Sequence, residues 1–138
     1  MKKEIIATTL IFAAASFLLT PVLWPFSTDP SALPPGSIMP FFQAFGILSS
    51  LTFGIGVSFL LFAWKPMRKA DAGFGLPFWT YAALSWSLIS WWPHENLHRT
   101  TEGNWYALLW IEYGFHATLY ISAAIAALYV FTQFTKRS

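Results

Sequence analysis

Residues 41–64 read FFQAFGILSSLTFGIGVSFLLFAW, and this stretch decides the fold class of the chain. It contains no charged residue and is longer than the roughly 20 apolar residues that a helix needs to cross a bilayer. Small residues recur at every fourth position, at Gly46, Ser50, Gly54 and Ser58. Because such a stripe lets another helix approach closely, the stretch predicts a transmembrane helix with one face packed tightly against a neighbour.

The composition extends this prediction to the whole chain. Of its 138 residues, 56% are apolar, 20% are aromatic and only 10% are charged, whereas soluble domains average about 25% charged residues. The absence of cysteine excludes disulfides, thiolate metal sites and thiol catalysis. Walker-type and G-x-S-x-G patterns are also absent, and no basic surface for nucleic acid is evident. We therefore expect an integral membrane protein whose main partner is the lipid bilayer.

Four apolar segments, at about 5–24, 41–64, 76–92 and 105–134, predict four transmembrane helices. We expect the first to be retained rather than cleaved as a signal peptide, because no small-x-small site follows it. The short connections favour an all-α fold in which residues 1–138 form one antiparallel four-helix bundle and a single domain. A second narrow stripe in the last segment, also predicted to contact a helix, consists of Gly114, Thr118, Ser122 and Ala126.

The basic residues predict the orientation of this bundle. In a four-span arrangement only Arg99 falls on one side of the bilayer, and the other basic residues fall on the opposite side: Lys2, Lys3, Lys65, Arg68, Lys69, Lys136 and Arg137. The positive-inside rule makes the opposite side cytoplasmic, so both termini are predicted to be cytoplasmic. Residues 91–104 would then face the periplasm or the cell exterior in a multi-pass cell-membrane protein.

The loop before the last span contains the motif H-E-x-x-H, formed by His94, Glu95 and His98. Two histidines four residues apart on a helix can reach one metal ion, and the intervening glutamate can activate a bound water. Pro93 is suited to the start of a helix, so the motif predicts a short helix at the membrane interface. The motif therefore makes His94 and His98 candidate metal ligands and Glu95 a candidate catalytic base.

The last predicted span adds Glu112 and His116 one turn apart, with Tyr120 one further turn along. If this span begins near Trp105, His116 lies about 16 Å along the helix, near the bilayer centre. A charged carboxylate that faced lipid would cost several kcal/mol, so we expect this face to turn inward.

A combined site follows, in which His94, His98 and either Glu112 or His116 bind a divalent ion. Zinc is the expected ion, with iron or copper as alternatives. Glu112 would be a second candidate catalytic residue, and the small outer loop favours a small or lipid-like substrate.

Two other functions fit the same residues. The first is a metal-free pocket that isomerises or cyclises a lipid or terpenoid with Glu and His as acid and base, within a wall that includes Trp92, Arg99, Tyr113 and Tyr120. The second is an accessory subunit that docks onto other membrane proteins, or onto a second copy of the chain, through its small-residue stripes. Haem ligation by His98 and His116 ranks below a non-haem ion. A purely structural reading pairs Glu112 with His116 inside one helix.

Overall fold

Helices make up the fold that a computed structural model gives for this chain. The structure describes residues 1–25, 36–70, 73–100 and 105–135, without the side chains of residues 99, 100 and 105. Within these ranges there is no strand, and the helices are α1 (Lys2–Leu23), α2 (Met39–Phe62), α3 (Trp64–Ala70), α4 (Leu76–Ile89), α5 (Trp91–Thr100) and α6 (Trp105–Thr135). The predicted all-α class is confirmed.

Among the described residues, three helical segments are long and apolar enough to cross a membrane: Lys2–Leu23, Met39–Phe62 and Tyr106–Thr135. They agree closely with the first, second and fourth predicted spans, and they are compatible with a membrane protein. The third predicted span, 76–92, corresponds to α4, which has only 14 residues. At 1.5 Å per residue α4 is about 21 Å long, short of the roughly 30 Å hydrocarbon core. The fourth crossing and the closed antiparallel bundle stay predictions.

The small-residue stripe of α2 packs against α1, as its spacing predicts. A β-carbon added to Gly54 would overlap the carbonyl oxygen of Thr9 and would lie 2.9 Å from the backbone nitrogen of Ala13. One turn later, the hydroxyl of Thr9 donates to Ser58 Oγ at 2.8 Å, and the hydroxyl of Ser58 donates to the carbonyl oxygen of Ile5 at 3.3 Å. This contact confirms the predicted close helix approach.

A different face of α2 contacts α4 equally closely. A β-carbon added to Gly56 would lie 2.7 Å from Ile89 Cγ1 and 2.8 Å from Leu88 Cβ. Farther along the same contact, the buried hydroxyl of Tyr81 donates to the carbonyl oxygen of Leu60 at 2.5 Å. The helix α2 therefore lies between α1 and α4.

The stripe predicted on α6 packs only in part. Trp86 of α4 donates its indole N–H to the hydroxyl of Thr118 at 2.8 Å, and Ser122 is buried. Gly114, in contrast, is exposed and has no described atom within 4 Å of an added β-carbon beyond its own helix and chain neighbours. The contact face of α6 thus runs through Phe115, Thr118 and Ser122, and Gly114 lies outside it.

Four of the helices contact one another in chain order: α1 packs on α2, α2 on α4 and α4 on α6. The short helix α5 contacts α2, α4 and α6. It therefore holds the H-E-x-x-H motif next to two of the apolar helices that are long enough to cross a membrane.

Candidate metal centre

The motif lies on α5, which follows α4 after the single residue Ser90. The backbone N–H of Ser90 donates to the carbonyl oxygen of Trp86. The N–H of His94 donates to the carbonyl oxygen of Ser90 at 3.1 Å. Pro93 is the third residue of α5, in the first helical turn, where its missing N–H removes no intrahelical bond. The predicted short helix is confirmed, and it places His94 and His98 one turn apart.

Trp92 fixes α5 against the first two helices. Its indole N–H donates to the hydroxyl of Thr20 at 2.9 Å. Its ring packs edge-on against Trp24, with ring centroids 5.1 Å apart, and also contacts Phe53 at 4.7 Å. Trp92 is buried. These contacts hold the motif next to α1 and α2, and the pocket role of Trp92 stays a prediction.

Three potential ligand atoms converge between α5 and α6. The Nε2 atoms of His94 and His98 lie 3.2 Å apart, and Glu112 Oε1 lies 3.4 Å from the first and 2.5 Å from the second. Two ligands of a tetrahedral zinc ion, each about 2.0–2.1 Å from the metal, are about 3.3 Å apart. Two of the three separations match this value, and the His98–Glu112 distance must lengthen when an ion enters.

The carboxylate of Glu112 is only partly satisfied by its neighbours. Its Oε1 atom is buried, and within the described chain neither imidazole contact has the geometry of a hydrogen bond. The second oxygen, Oε2, lies 3.2 Å from Nδ1 of His116. A buried polar atom without a hydrogen bond costs about 1–3 kcal/mol, and more if it is charged. Cation binding at Oε1 would remove this cost.

His94 is held in the neutral form that binds metals. Its ring is buried and stacks on Phe115, with centroids 3.6 Å apart and planes 12° from parallel. Burial lowers the pKa of His94 from 6.5 to about 4, although the nearby Glu112 acts in the opposite direction. Its buried Nδ1 has no hydrogen-bond partner among the described residues, whereas metal-ligating imidazoles usually donate from the other nitrogen. Here the stacked Phe115 fixes the ring plane.

His116 lies beside Glu112 but does not join the three converging atoms. Its Nδ1 is 2.8 Å from the carbonyl oxygen of Glu112 and 3.2 Å from Glu112 Oε2. An N–H at this position can donate to either oxygen. Its ring centroid is 5.8 Å from that of His94. Among the described residues, the group able to hold a metal thus comprises His94, His98 and Glu112. His116 contacts the carboxylate at its other oxygen, Oε2.

Two other residues of the predicted pocket wall are exposed. Tyr113 and Tyr120 are 66% and 74% exposed on the outer side of α6. The side chain of Arg99 lies outside the described part of the chain. Glu95, in contrast, lies next to the site, because it lines a cavity together with His94 and His98.

That cavity, which we call the α2–α5 groove, has a volume of about 660 Å³. The remainder of its wall comes from Phe42, Phe45, Leu48, Ser49, Thr52 and Trp91. The sequence did not indicate these α2 residues, nor the stacking of Phe115 on His94. The one available signal was the pair Ser49 and Thr52, polar residues that lie off the small-residue stripe of α2.

No family model, curated protein or solved structure matches this chain. Its function is therefore argued from the geometry of the centre formed by His94, His98 and Glu112.

Proposed function

We propose that this protein is a membrane metalloprotein that binds one divalent transition-metal ion through His94, His98 and Glu112. The observation that carries the proposal is the convergence of two imidazole nitrogens and one buried carboxylate oxygen within 3.4 Å of one another. Zinc suits two nitrogens and one oxygen in a tetrahedral site. Two histidines and one carboxylate are also the ligand set of many non-haem iron sites, which makes iron the second candidate.

The proposed centre has the composition of a catalytic site. Three protein ligands leave one position of a tetrahedral zinc ion for water or substrate, and zinc lowers the pKa of bound water to about 7. Glu95, on the groove wall next to His94, is the candidate base for such a water. We propose metal-assisted chemistry on a small or lipid-like substrate that reaches the centre through the α2–α5 groove.

The proposed topology has α4 as a fourth crossing, with both termini cytoplasmic and the metal centre near the outer side. Two contacts in each helix pair support alternating directions. Gly54 meets Ala13 whereas Ser58 meets Ile5, and Gly56 meets Ile89 whereas Leu60 meets Tyr81. Because the chain has no native cysteine, Gly103→Cys and Lys69→Cys can each be probed alone in intact cells. A membrane-impermeant maleimide should label only the Gly103→Cys variant. Labelling of Lys69→Cys instead would reverse the orientation.

The metal content of the purified protein tests the proposal. After chelator treatment, zinc loading and dialysis, elemental mass spectrometry should find close to one equivalent of zinc. His98→Ala and Glu112→Gln should each retain less than a tenth of it, while Glu4→Gln, which alters an exposed carboxylate on α1, should retain all of it. Metal-free wild-type protein after this procedure would refute the proposed function.

A metal-free acid/base pocket is the second candidate, and one observation favours it. His98 and Glu112 are in contact at 2.5 Å, and His98 also lines the α2–α5 groove. Such a pair can exchange a proton with a bound lipid without a metal. This function requires activity that survives exhaustive chelation and disappears in Glu112→Gln, whereas a metalloenzyme loses activity on chelation.

A further inference from the structure

The α2–α5 groove has a polar side and an apolar side. His94, Glu95 and His98 of α5 form the polar side, and the α2 side presents Phe42, Phe45 and Leu48. The hydroxyls on the α2 side add little polarity, because Ser49 donates to the carbonyl oxygen of Gly46 and Thr52 to that of Ser49. A ligand that fills the groove must therefore be apolar along α2 and polar only at the metal centre.

The length of the groove matches one acyl chain in one leaflet. Its α2 wall extends from Phe42 to Thr52, which is ten residue-to-residue steps and therefore about 15 Å of helix. This is half of the roughly 30 Å hydrocarbon thickness of a bilayer. The volume of about 660 Å³ also falls within the range of roughly 300–1,000 Å³ that ligand sites occupy.

The groove is open at the side of α2. Phe45 and Leu48 are 61% and 52% exposed, although they line it. In a bilayer this surface of α2 would meet lipid, so a chain could enter sideways without crossing water. A bilayer-embedded amphiphile therefore has a direct path to the centre, whereas a water-soluble metabolite would have to cross an apolar wall.

The charge at the proposed metal centre favours a ligand with an anionic polar group. A divalent ion carries two positive charges and Glu112 contributes one negative charge, so the three ligands leave a net positive centre with one open position. An anionic oxygen at that position would neutralise the centre, and charges removed from water are stable only when they are paired.

We propose that the α2–α5 groove binds a long-chain fatty acid, with the acyl chain along α2 and the carboxylate at the open position of the metal. This inference rests on the proposed function, because the metal supplies the contact for the head group. An ester or an alcohol of the same chain length would keep the apolar contacts and lose the charge pairing.

Binding of radiolabelled palmitate to the protein in phosphatidylcholine nanodiscs tests the inference, with the zinc content measured on the same samples. Zinc-loaded protein should bind one palmitate, and chelated protein should bind it at least tenfold more weakly. Octanoate and methyl palmitate should each compete at least tenfold less well than unlabelled palmitate. Equal competition by methyl palmitate would overturn the role of the carboxylate.

Two tryptophan variants separate the groove from the metal. Leu48→Trp should fill the groove and abolish palmitate binding with zinc content unchanged. The matched control is Ile47→Trp, because Ile47 is similarly exposed at 57% but does not line the groove. The Ile47→Trp variant should bind palmitate as tightly as the wild type does. One equivalent of zinc together with palmitate binding that Leu48→Trp leaves intact would overturn this inference and leave the proposed function standing. Absence of zinc from the wild-type protein would overturn both.

Glu95→Gln gives an independent measurement of charge on the polar side of the groove. Since Glu95 lines the groove, removal of its negative charge should strengthen palmitate binding about threefold to tenfold at unchanged zinc content. Weaker binding in Glu95→Gln would contradict an anionic head group beside Glu95, because removal of a negative charge should favour an anion there.

Discussion

The contact between α1 and α2 differs in chemistry from the contact between α5 and α6. The first is tightly packed, with no room for a β-carbon at Gly54 and with the hydroxyls of Thr9 and Ser58 bonded to each other. The second brings together His94, His98 and Glu112 and leaves Glu112 Oε1 buried without a hydrogen bond among the described residues. Small residues and paired hydroxyls serve helix packing, whereas an incompletely satisfied carboxylate beside two imidazoles is suited to a cation.

The α2 stripe also contains a buried polar atom without a hydrogen bond. Ser50, on the same stripe of α2, has a buried hydroxyl without a hydrogen-bond partner in the described chain. A buried neutral hydroxyl without a hydrogen bond costs less than a buried carboxylate oxygen without one. The difference between the two regions is therefore one of charge, and substitutions can measure it.

The largest effect should come from enlarging Gly54. A leucine side chain there must overlap the backbone of α1, so Gly54→Leu should destabilise the protein by about 3 kcal/mol or more, the upper end of overpacking costs. Gly114→Leu is the matched control on α6, because a β-carbon there meets no described atom within 4 Å beyond its own helix and chain neighbours. It should change the stability by less than about 0.5 kcal/mol. Chemical unfolding in detergent micelles compares the two, and equal losses would show that Gly54 has no special packing role.

Glu112→Gln should next remove the dependence of stability on zinc. Zinc at 100 times its dissociation constant should stabilise the wild-type protein by about 2.7 kcal/mol. Glu112→Gln should gain almost nothing, because it lacks the anionic ligand. Without zinc the variant should be at least as stable as the wild type, since a neutral amide replaces a charged carboxylate whose Oε1 atom is buried without a hydrogen bond. A zinc-free variant that is markedly less stable would instead identify Glu112 as a structural residue.

A smaller effect is expected at His116, which contacts Glu112 without joining the converging atoms. His116→Ala should weaken zinc binding about 10- to 100-fold, the usual cost of losing an outer-shell partner, without abolishing it. Tyr120→Phe, which alters an exposed side chain on the same helix, should leave the affinity unchanged. Zinc titration against a competing chelator measures both, and complete loss in His116→Ala would make His116 a direct ligand.

The smallest effect concerns the hydrogen bond from Trp92 to Thr20, which connects α5 to α1. Trp92→Phe and Thr20→Val should show a coupling free energy of about 1 kcal/mol in a double-mutant cycle of unfolding. A value near zero would mean that ring packing against Trp24 and Phe53 holds α5 without this bond.

Most of the fold could be predicted from the sequence because hydrophobic length and small-residue spacing are local signals. Three apolar segments became helices of the expected extent, and Gly54 packs as its stripe predicted. The short α4 was harder to foresee, because the tryptophans after Ser90 continue the apolar run although α5 begins at Trp91.

The candidate site could be predicted only in part, because sequence spacing does not specify which neighbour a helix face meets. A step of four residues rotates a side chain by about 40°, so Tyr120 lies roughly 80° around α6 from Glu112. This rotation accounts for Tyr120 being exposed while Glu112 turns toward His98. Phe115 stacks on His94 across two helices, a contact that no pattern within either helix could indicate.

X-ray absorption spectroscopy at the zinc edge tests the central claim most directly. Zinc-loaded protein should show two imidazole nitrogens and a carboxylate oxygen about 2.0–2.1 Å from the metal, and dialysed His98→Ala should show no such shell, because it retains less than a tenth of the zinc. A shell of oxygen atoms alone, or a spectrum that His98→Ala leaves unchanged, would contradict a metal centre formed by His94, His98 and Glu112.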